Sequence, residues 1–397
     1  MDPVERIDPQ AWMTTPGVEA VFAALSANGA VVRFVGGCVR DAVLGRAPGG
    51  DIDLATCDPP ETVMGLLEAA ELRALPTGID HGTVTALAQG QSIEITTLRR
   101  DVETDGRHAT VAFTDDWAAD AARRDFTMNA LFCDADGALY DPMGGLDDAR
   151  AGRVRFVGEP DQRIDEDALR ILRFFRFYAH YGQAPADEAA LAACRAKASR
   201  MTNLSGERVG AEMLKLLAAP EPAPALGLMI ESGVAGALLP SITGTGNLAR
   251  LCSLDDGDPL RRLGILLSGD ALAVAERLRL SNAERDRLAE IIQRPLEPLE
   301  PAAQRRAIYR LGALLFIDRA YLAWAETGDD RFGAMIETAR EWPIPALPVG
   351  GADVMALGVD SGPEVGRLLE IVENWWIDGD FQADREAAQE KLAALIP

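Results

Sequence analysis

The feature that most constrains the fold is where the strand signals stop. Short β-branched runs punctuate the chain from Val31 to about Gly152, at Val31–Val35, Asp51–Ala55, Thr83–Ala88, Ser92–Leu98, Ala130–Cys133 and Ala138–Tyr140. After about Asp161 they vanish. The remainder reads as helices separated by Pro/Gly punctuation at 220–224, 255–259, 295–301 and 343–351. Gln89-Gly90-Gln91 and Asp134-Ala135-Asp136-Gly137 have the composition of hairpin turns. The pattern predicts an α+β head with a small mixed sheet, followed by an all-helical C-terminal part. Residues 1–27 read as a leader with one amphipathic helix around Val18–Leu25.

With 397 residues the chain has room for several domains. Its 48% hydrophobic and 25% charged residues exclude wholesale disorder. No apolar run approaches the roughly 18 residues that span a bilayer, so no membrane association is expected. The acidic N-terminus, with Asp2, Glu5 and Asp8, does not read as a secretory signal. Five dispersed cysteines without a CxxC pair point to a reducing cytoplasm rather than a disulfide framework. Three histidines leave little scope for histidine-based metal chemistry. A net charge of -23 opposes diffuse nucleic-acid binding. One stretch runs against it: Ala168–Lys215 holds eight Arg/Lys and four Asp/Glu.

Four constellations carry chemistry. Gly36-Gly37-Cys38-Val39-Arg40 follows a strand and opens a helix, which lets backbone N–H groups approach an anion while Arg40 supplies a guanidinium. A plain tight turn would look the same, and the spacing is not that of a dinucleotide fingerprint. Asp51-Ile52-Asp53-Leu54 places two carboxylates on one strand face, where they repel unless a cation sits between them. Glu94, between Ile93 and Ile95, is a third carboxylate on a comparable strand. Three such groups near an anion-binding turn suit two-metal phosphoryl or nucleotidyl transfer.

In Arg123-Arg124-Asp125-Phe126-Thr127-Met128-Asn129 the arginine pair suits a triphosphate. Asp125 is expected to orient one of these arginines, and Asn129 to satisfy loop backbone. In Glu166-Asp167-Ala168-Leu169-Arg170 and onward to Phe177, helical pitch would align Asp167, Arg170, Arg173 and Arg176 in one stripe. Helix ion pairs, Glu166 with Arg170 for instance, are the alternative. Because the opposite face is apolar, however, buried arginines there need anionic or hydrogen-bonding partners. A carboxylate accepts and a guanidinium donates, so Asp167 beside Arg170 would match the amine and ring nitrogen of cytosine or adenine, not uracil or guanine.

These blocks, GGCVRDAVLGR, DIDLAT, GIDHGTVT, IEITTLR, RRDFTMNAL, YDPMGG and EDALRILRFFRF, resemble the class II tRNA nucleotidyltransferase and bacterial poly(A) polymerase family over residues 31–178. The resemblance implies a polymerase-β-like head, then helical neck, body and tail, divided at 28–152, 153–220, 221–345 and 346–397. It implies templateless addition of C, C and A to the tRNA 3′ end from CTP and ATP, with two Mg²⁺ ions. Asp51 and Asp53 would then hold the metals and Glu94 would be the third carboxylate. Gly37, Arg40, Arg124, Asp167, Arg170, Arg173 and Arg176 would bind the nucleotide, and the tail would contact tRNA.

The family's poly(A) polymerases usually carry an arginine-rich segment where this chain has Thr77–Val84, which favours the CCA-adding branch. CC-only enzymes shorten the loop that here is Arg99–His108, present at near-full length. Two alternatives stay open: poly(A) addition, and an RNA-binding relative that has lost catalysis.

Overall fold

The computed structural model describes the chain except Pro48, Gly50, Asp51, Gly106, Arg107, Ser268, Arg294, Pro295 and Pro397; for 101–105 and 108–111 it describes the backbone alone. The described chain forms two compact units, Met1–Gly244 and Thr245–Pro397.

The strands of the first unit are β1 (Glu5–Arg6), β2 (Val32–Val35), β3 (Ile52–Thr56), β4 (Arg73–Gly78), β5 (Thr83–Ala88), β6 (Gln91–Thr97), β7 (Arg99–Asp105), β8 (His108–Phe113), β9 (Phe132–Cys133) and β10 (Ala138–Tyr140). Eight of them make a mixed sheet in the order β1-β10-β9-β2-β3-β6-β5-β4, and β7 pairs with β8 separately. The expected loop at Arg99–His108 is therefore largely a β-hairpin, whose Gly106 and Arg107 lie outside the described residues. The Gln89-Gly90 turn is present as expected, with both residues at positive φ (53° and 78°), the twist that matches a tight hairpin.

The helices of this unit are α1 (Pro16–Leu25), α2 (Gly37–Val43), α3 (Pro60–Ala69), α4 (Trp117–Ala122), α5 (Gly145–Arg150), α6 (Pro160–Glu166), α7 (Arg170–Tyr181), α8 (Glu188–Ala196), α9 (Gly206–Leu217), α10 (Ala223–Glu231) and α11 (Val234–Leu238). One face of the sheet is apolar: Phe34, Leu54, Ile93 and Ile95 pack with Val21 and Leu25 of α1 and Val63 and Leu67 of α3. Residues 1–27 thus contribute to the head core. Period-two alternation sends Asp53 and Ala55 to the opposite face, where Ala55 joins Val35, Leu98 and Phe132 in a smaller cluster.

Helix α7 begins at Arg170. Asp167, expected on the same helix, is extended (φ -153°, ψ 107°), and its Oδ1 accepts from the Leu169 N–H at 3.1 Å. That local turn replaces the helical hydrogen bond and breaks the stripe between Asp167 and Arg170.

The second unit is helical among the described residues: α12 (Leu248–Leu254), α13 (Pro259–Gly264), α14 (Ala271–Arg277), α15 (Asn282–Ile291), α16 (Pro301–Leu311), α17 (Ala313–Thr327), α18 (Arg331–Glu341), α19 (Gly351–Ala356), α20 (Pro363–Asp378) and α21 (Arg385–Ala393). Its main core holds Phe316, Tyr321, Phe332 and Ile336. A buried ion network runs beside it. Asp318 accepts from Arg261 Nε at 3.0 Å and from Arg287 Nη2 at 2.8 Å, Arg287 also reaches Asp258, and Arg262 pairs with Asp255 at 2.9 Å. Among the described residues no helix is long and apolar enough to cross a membrane.

Candidate active site

The chain leaves β2 through Gly36, whose φ of 76° is open to glycine at little cost, and enters α2 at Gly37. A Cβ on Gly36 would lie 3.3 Å from the Arg124 guanidinium, so the turn and that arginine are in close contact. Arg40, on α2, is 5% exposed. Its Nε donates to Asp41 at 3.0 Å, Nη1 to Asn129 Oδ1 at 2.6 Å and Nη2 to the Tyr181 hydroxyl at 2.6 Å.

Strands β3 and β6 are parallel and pair Asp53 with Glu94. Their apolar neighbours Ile52, Ile93, Leu54 and Ile95 are all buried on the other face. Two carboxylates therefore stand side by side on one face, an all-oxygen donor set of the kind hard divalent cations take. Asp53 borders the main cleft, whereas Glu94 is not among its lining residues. Asp51, expected to hold metal together with Asp53, lies outside the described residues.

Asp120 anchors the arginine pair: it accepts from Arg123 Nε at 2.8 Å and Arg124 Nη2 at 3.1 Å. Burial pushes its carboxyl up, but the Arg124 and Arg123 charges hold it below the usual range. The expectation that Asp125 orients one of these arginines is corrected, because Asp125 pairs with Arg173 of α7 instead. Burial raises the Asp125 carboxyl, and Arg173, Asn129 and the Phe126 N–H more than offset that, leaving it lowered. Asn129 also differs from expectation. It bridges side chains, accepting from Arg40 and donating to Asp125 at 3.2 Å, rather than satisfying loop backbone.

On α7 the buried face is Ile171, Leu172, Phe174, Phe175 and Tyr178, as the apolar pattern requires. The arginines opposite find protein carboxylates. Arg170 pairs with Glu166, Arg173 with Asp125, and Arg176 Nε lies 3.0 Å from Glu212 of α9. Asp167 Oδ2 accepts from Arg208 of α9 at 2.6 Å.

These groups surround a cleft of about 870 Å³. Gly37, Arg40, Asp53, Arg124, Asp167, Arg170, Arg173 and Arg176 all line it. Sequence reading alone did not place Asp120, Tyr181, Arg208 and Lys215 at the site. Asp120 carried a signal, three and four residues before the arginine pair on a helix. Tyr181 carried only its position four residues after Phe177, with which it stacks at 5.9 Å. Among the described residues the lining has eight Arg/Lys and four Asp. Such a cleft suits a polyanion with several oxygens. Burial, then the hydrogen bond to the Lys215 carbonyl and nearby arginines, set the His180 imidazole, and the net effect lowers it. Burial pushes the Cys38 thiol up to about 11, which keeps it protonated and unsuited to nucleophilic attack at neutral pH.

Residues 32–155 match the poly A polymerase head domain family, and residues 187–244 match a probable RNA and SrmB-binding site of polymerase A. The chain is 38% identical to a CCA-adding enzyme of Geobacillus stearothermophilus, over 94% of this chain and 96% of the relative. It is 31% identical to the mitochondrial CCA tRNA nucleotidyltransferase 1 of Danio rerio, over 94% and 89%. A crystal structure of the Bacillus stearothermophilus CCA-adding enzyme in complex with CTP superimposes with a TM-score of 0.79 at 28% identity, covering 96% of this chain and 98% of that one.

Proposed function

The chain belongs to the CCA-adding tRNA nucleotidyltransferase family, and from that premise we propose that it adds C, C and A to the tRNA 3′ end. CTP and ATP are the substrates, no nucleic-acid template is used, and pyrophosphate leaves. The observation that carries this reading is the cleft: residues from β3, α2, the 123–129 segment and α7 converge there, although the sequence spreads them over more than a hundred positions.

In the reaction the tRNA 3′-hydroxyl oxygen bonds to the α-phosphorus of the incoming nucleotide, and the bond from that phosphorus to pyrophosphate breaks. Gly37, Arg40 and Arg124, with Arg173 and Arg176, bind the triphosphate. Asp51 and Asp53 hold Mg²⁺, two ions with Glu94 as the third carboxylate. The register of Asp53 with Glu94 supports that donor set. When bound, Mg²⁺ makes the hydroxyl a better nucleophile and neutralises charge on the leaving group.

Asp167 and Arg170 read the base. Arg208 and Glu166 already hold them in fixed directions, and each Asp167 oxygen keeps lone-pair capacity for a base amine. We assign catalysis to residues 28–152, nucleotide selection to the neck at 153–220 and tRNA contact to the tail at 346–397, with a helical body at 221–345. A cytoplasmic location fits the five free thiols.

The test is purified protein with tRNA ending before CC and each labelled nucleoside triphosphate in turn. The expected products are two C additions and then one A, with no U or G. Arrest after two C would mean a CC-only enzyme, and a run of A on any RNA end would mean poly(A) polymerase. Asp53→Asn is expected to cut incorporation by at least about a thousand-fold at an unchanged melting temperature. Normal turnover in that variant would refute the metal assignment.

A further inference from the structure

Arg40 carries a long side chain, and ordering a loose guanidinium at every binding event would cost affinity. Three groups hold it here. Asp41 and Asn129 belong to the head around the sheet. Tyr181 comes from the C-terminal end of α7, and it makes two kinds of contact. Its hydroxyl accepts from Nη2 at 2.6 Å, and its ring centroid lies 3.9 Å from the guanidinium carbon. Phe177, one turn earlier, backs the phenol ring at 5.9 Å. Arg46, just past α2, donates to the His180 carbonyl at 3.0 Å and lies 5.2 Å from the same ring. Burial pushes the phenol up, so it remains a hydroxyl at neutral pH.

The donor count is informative. A guanidinium has five N–H bonds. Asp41 takes Nε–H, and its Oδ1 also lies 2.9 Å from Nη2. Asn129 and Tyr181 take one each from Nη1 and Nη2. Among the described contacts this leaves one Nη1–H, on a residue that lines the cleft.

We propose that Tyr181 is a positioning residue for nucleotide binding, which clamps the Arg40 guanidinium by stacking and by one hydrogen bond so that its remaining N–H serves the incoming triphosphate. This rests on the reading of the cleft as the nucleotide site. Because Arg40 meets the triphosphate and not the base, the clamp acts on CTP and ATP alike. It leaves the choice of base to Asp167 and Arg170.

The experiment compares the parent with Tyr181→Phe and Tyr181→Leu. Dissociation constants for CTP and ATP come from equilibrium dialysis, KM and kcat from addition to tRNA, and folding from thermal melting. Tyr181→Leu removes both contacts and is expected to raise KM and Kd for CTP and ATP about ten-fold by the same factor. Its kcat stays within about two-fold and its KM for tRNA is unchanged. Tyr181→Phe keeps the stacking and should lose only about three-fold. In an Arg40→Ala background Tyr181→Leu should add nothing further, since the group it positions is gone.

Unchanged nucleotide affinity in Tyr181→Leu, full additivity with Arg40→Ala, or a matching rise in KM for tRNA would each overturn the proposal. If Tyr181→Leu does not fold, Tyr181→Phe decides, and an unaltered CTP dissociation constant overturns it. A parent that adds nothing to tRNA yet binds CTP refutes the proposed function and leaves dialysis to judge Tyr181. A parent that binds no CTP removes both.

Discussion

Asp125 couples two distant parts of the chain through one carboxylate, and its lowered carboxyl bears on how the first unit responds to acid. Its carboxyl is lowered despite burial, because Arg173 and Asn129 favour the ionised form. A carboxyl lowered in the folded state contributes stability that is present above its unfolded value, about 3.9, and is lost as pH falls through the folded value. Asp120, also lowered, acts in the same direction. We expect Asp125→Asn to melt about 5 °C below the parent at pH 7, and to lose less than the parent between pH 5 and pH 3. Parallel melting curves for the two proteins across that range would show that Asp125 does not carry the acid response. Legibility at this scale followed sequence distance. Asp120 sits within one helical turn of its partners and was readable from spacing. The Asp125–Arg173 pair spans 48 positions, and only the fold brings it together. The Glu166–Arg170 pair, four positions apart, was readable from spacing, whereas the partner of Asp125 was not.

Elements were legible where burial imposed a period. The runs at β2, β3, β5 and β6 alternate or are apolar throughout, and they appear within one or two residues of where the sequence places them. β4 was missed because Arg73–Gly78 is an edge strand containing Pro76 and a register shift, with no buried residue. β7 was missed because Arg99–Asp105 has no apolar period. Helix α5 illustrates a constraint that composition does not announce. Its first residue, Gly145, runs so close to the 127–129 turn that a Cβ would stand 1.9 Å from the Thr127 carbonyl oxygen. That oxygen is backbone and cannot swing aside. Gly145→Ala is expected to cost about 3 kcal/mol, a fall of roughly 6–12 °C in melting temperature. A variant that melts with the parent would mean that this turn shifts freely.

For the whole molecule, charge is distributed against the grain of its substrate. The chain carries -23, yet among the described residues the cleft lining has eight cations to four carboxylates. Residues 346–397 hold three Arg/Lys and ten Asp/Glu, so any tRNA contact there is not held by charge. We expect phosphate contacts to concentrate in the net-positive 168–215 stretch, which holds eight Arg/Lys and four Asp/Glu. Binding of tRNA should weaken on the order of a hundred- to a thousand-fold between 50 and 200 mM salt. A filter-binding series with a flat response would contradict that concentration of contacts. The split into an α+β head and a helical remainder was readable from the loss of strand signals. The network in the second unit was not, because its arginines and aspartates look like ordinary surface charge until Asp318 is found fully buried. That network bears on inheritance. Asp318 serves both Arg261 and Arg287, and Arg287 also serves Asp258. Losing Asp318 takes the shared carboxylate from both arginines, one of them buried, at about 3–5 kcal/mol. A descendant sequence therefore keeps these positions as a set or exchanges them as a set, and the one-step intermediates between those two states are the ones a lineage cannot dwell in.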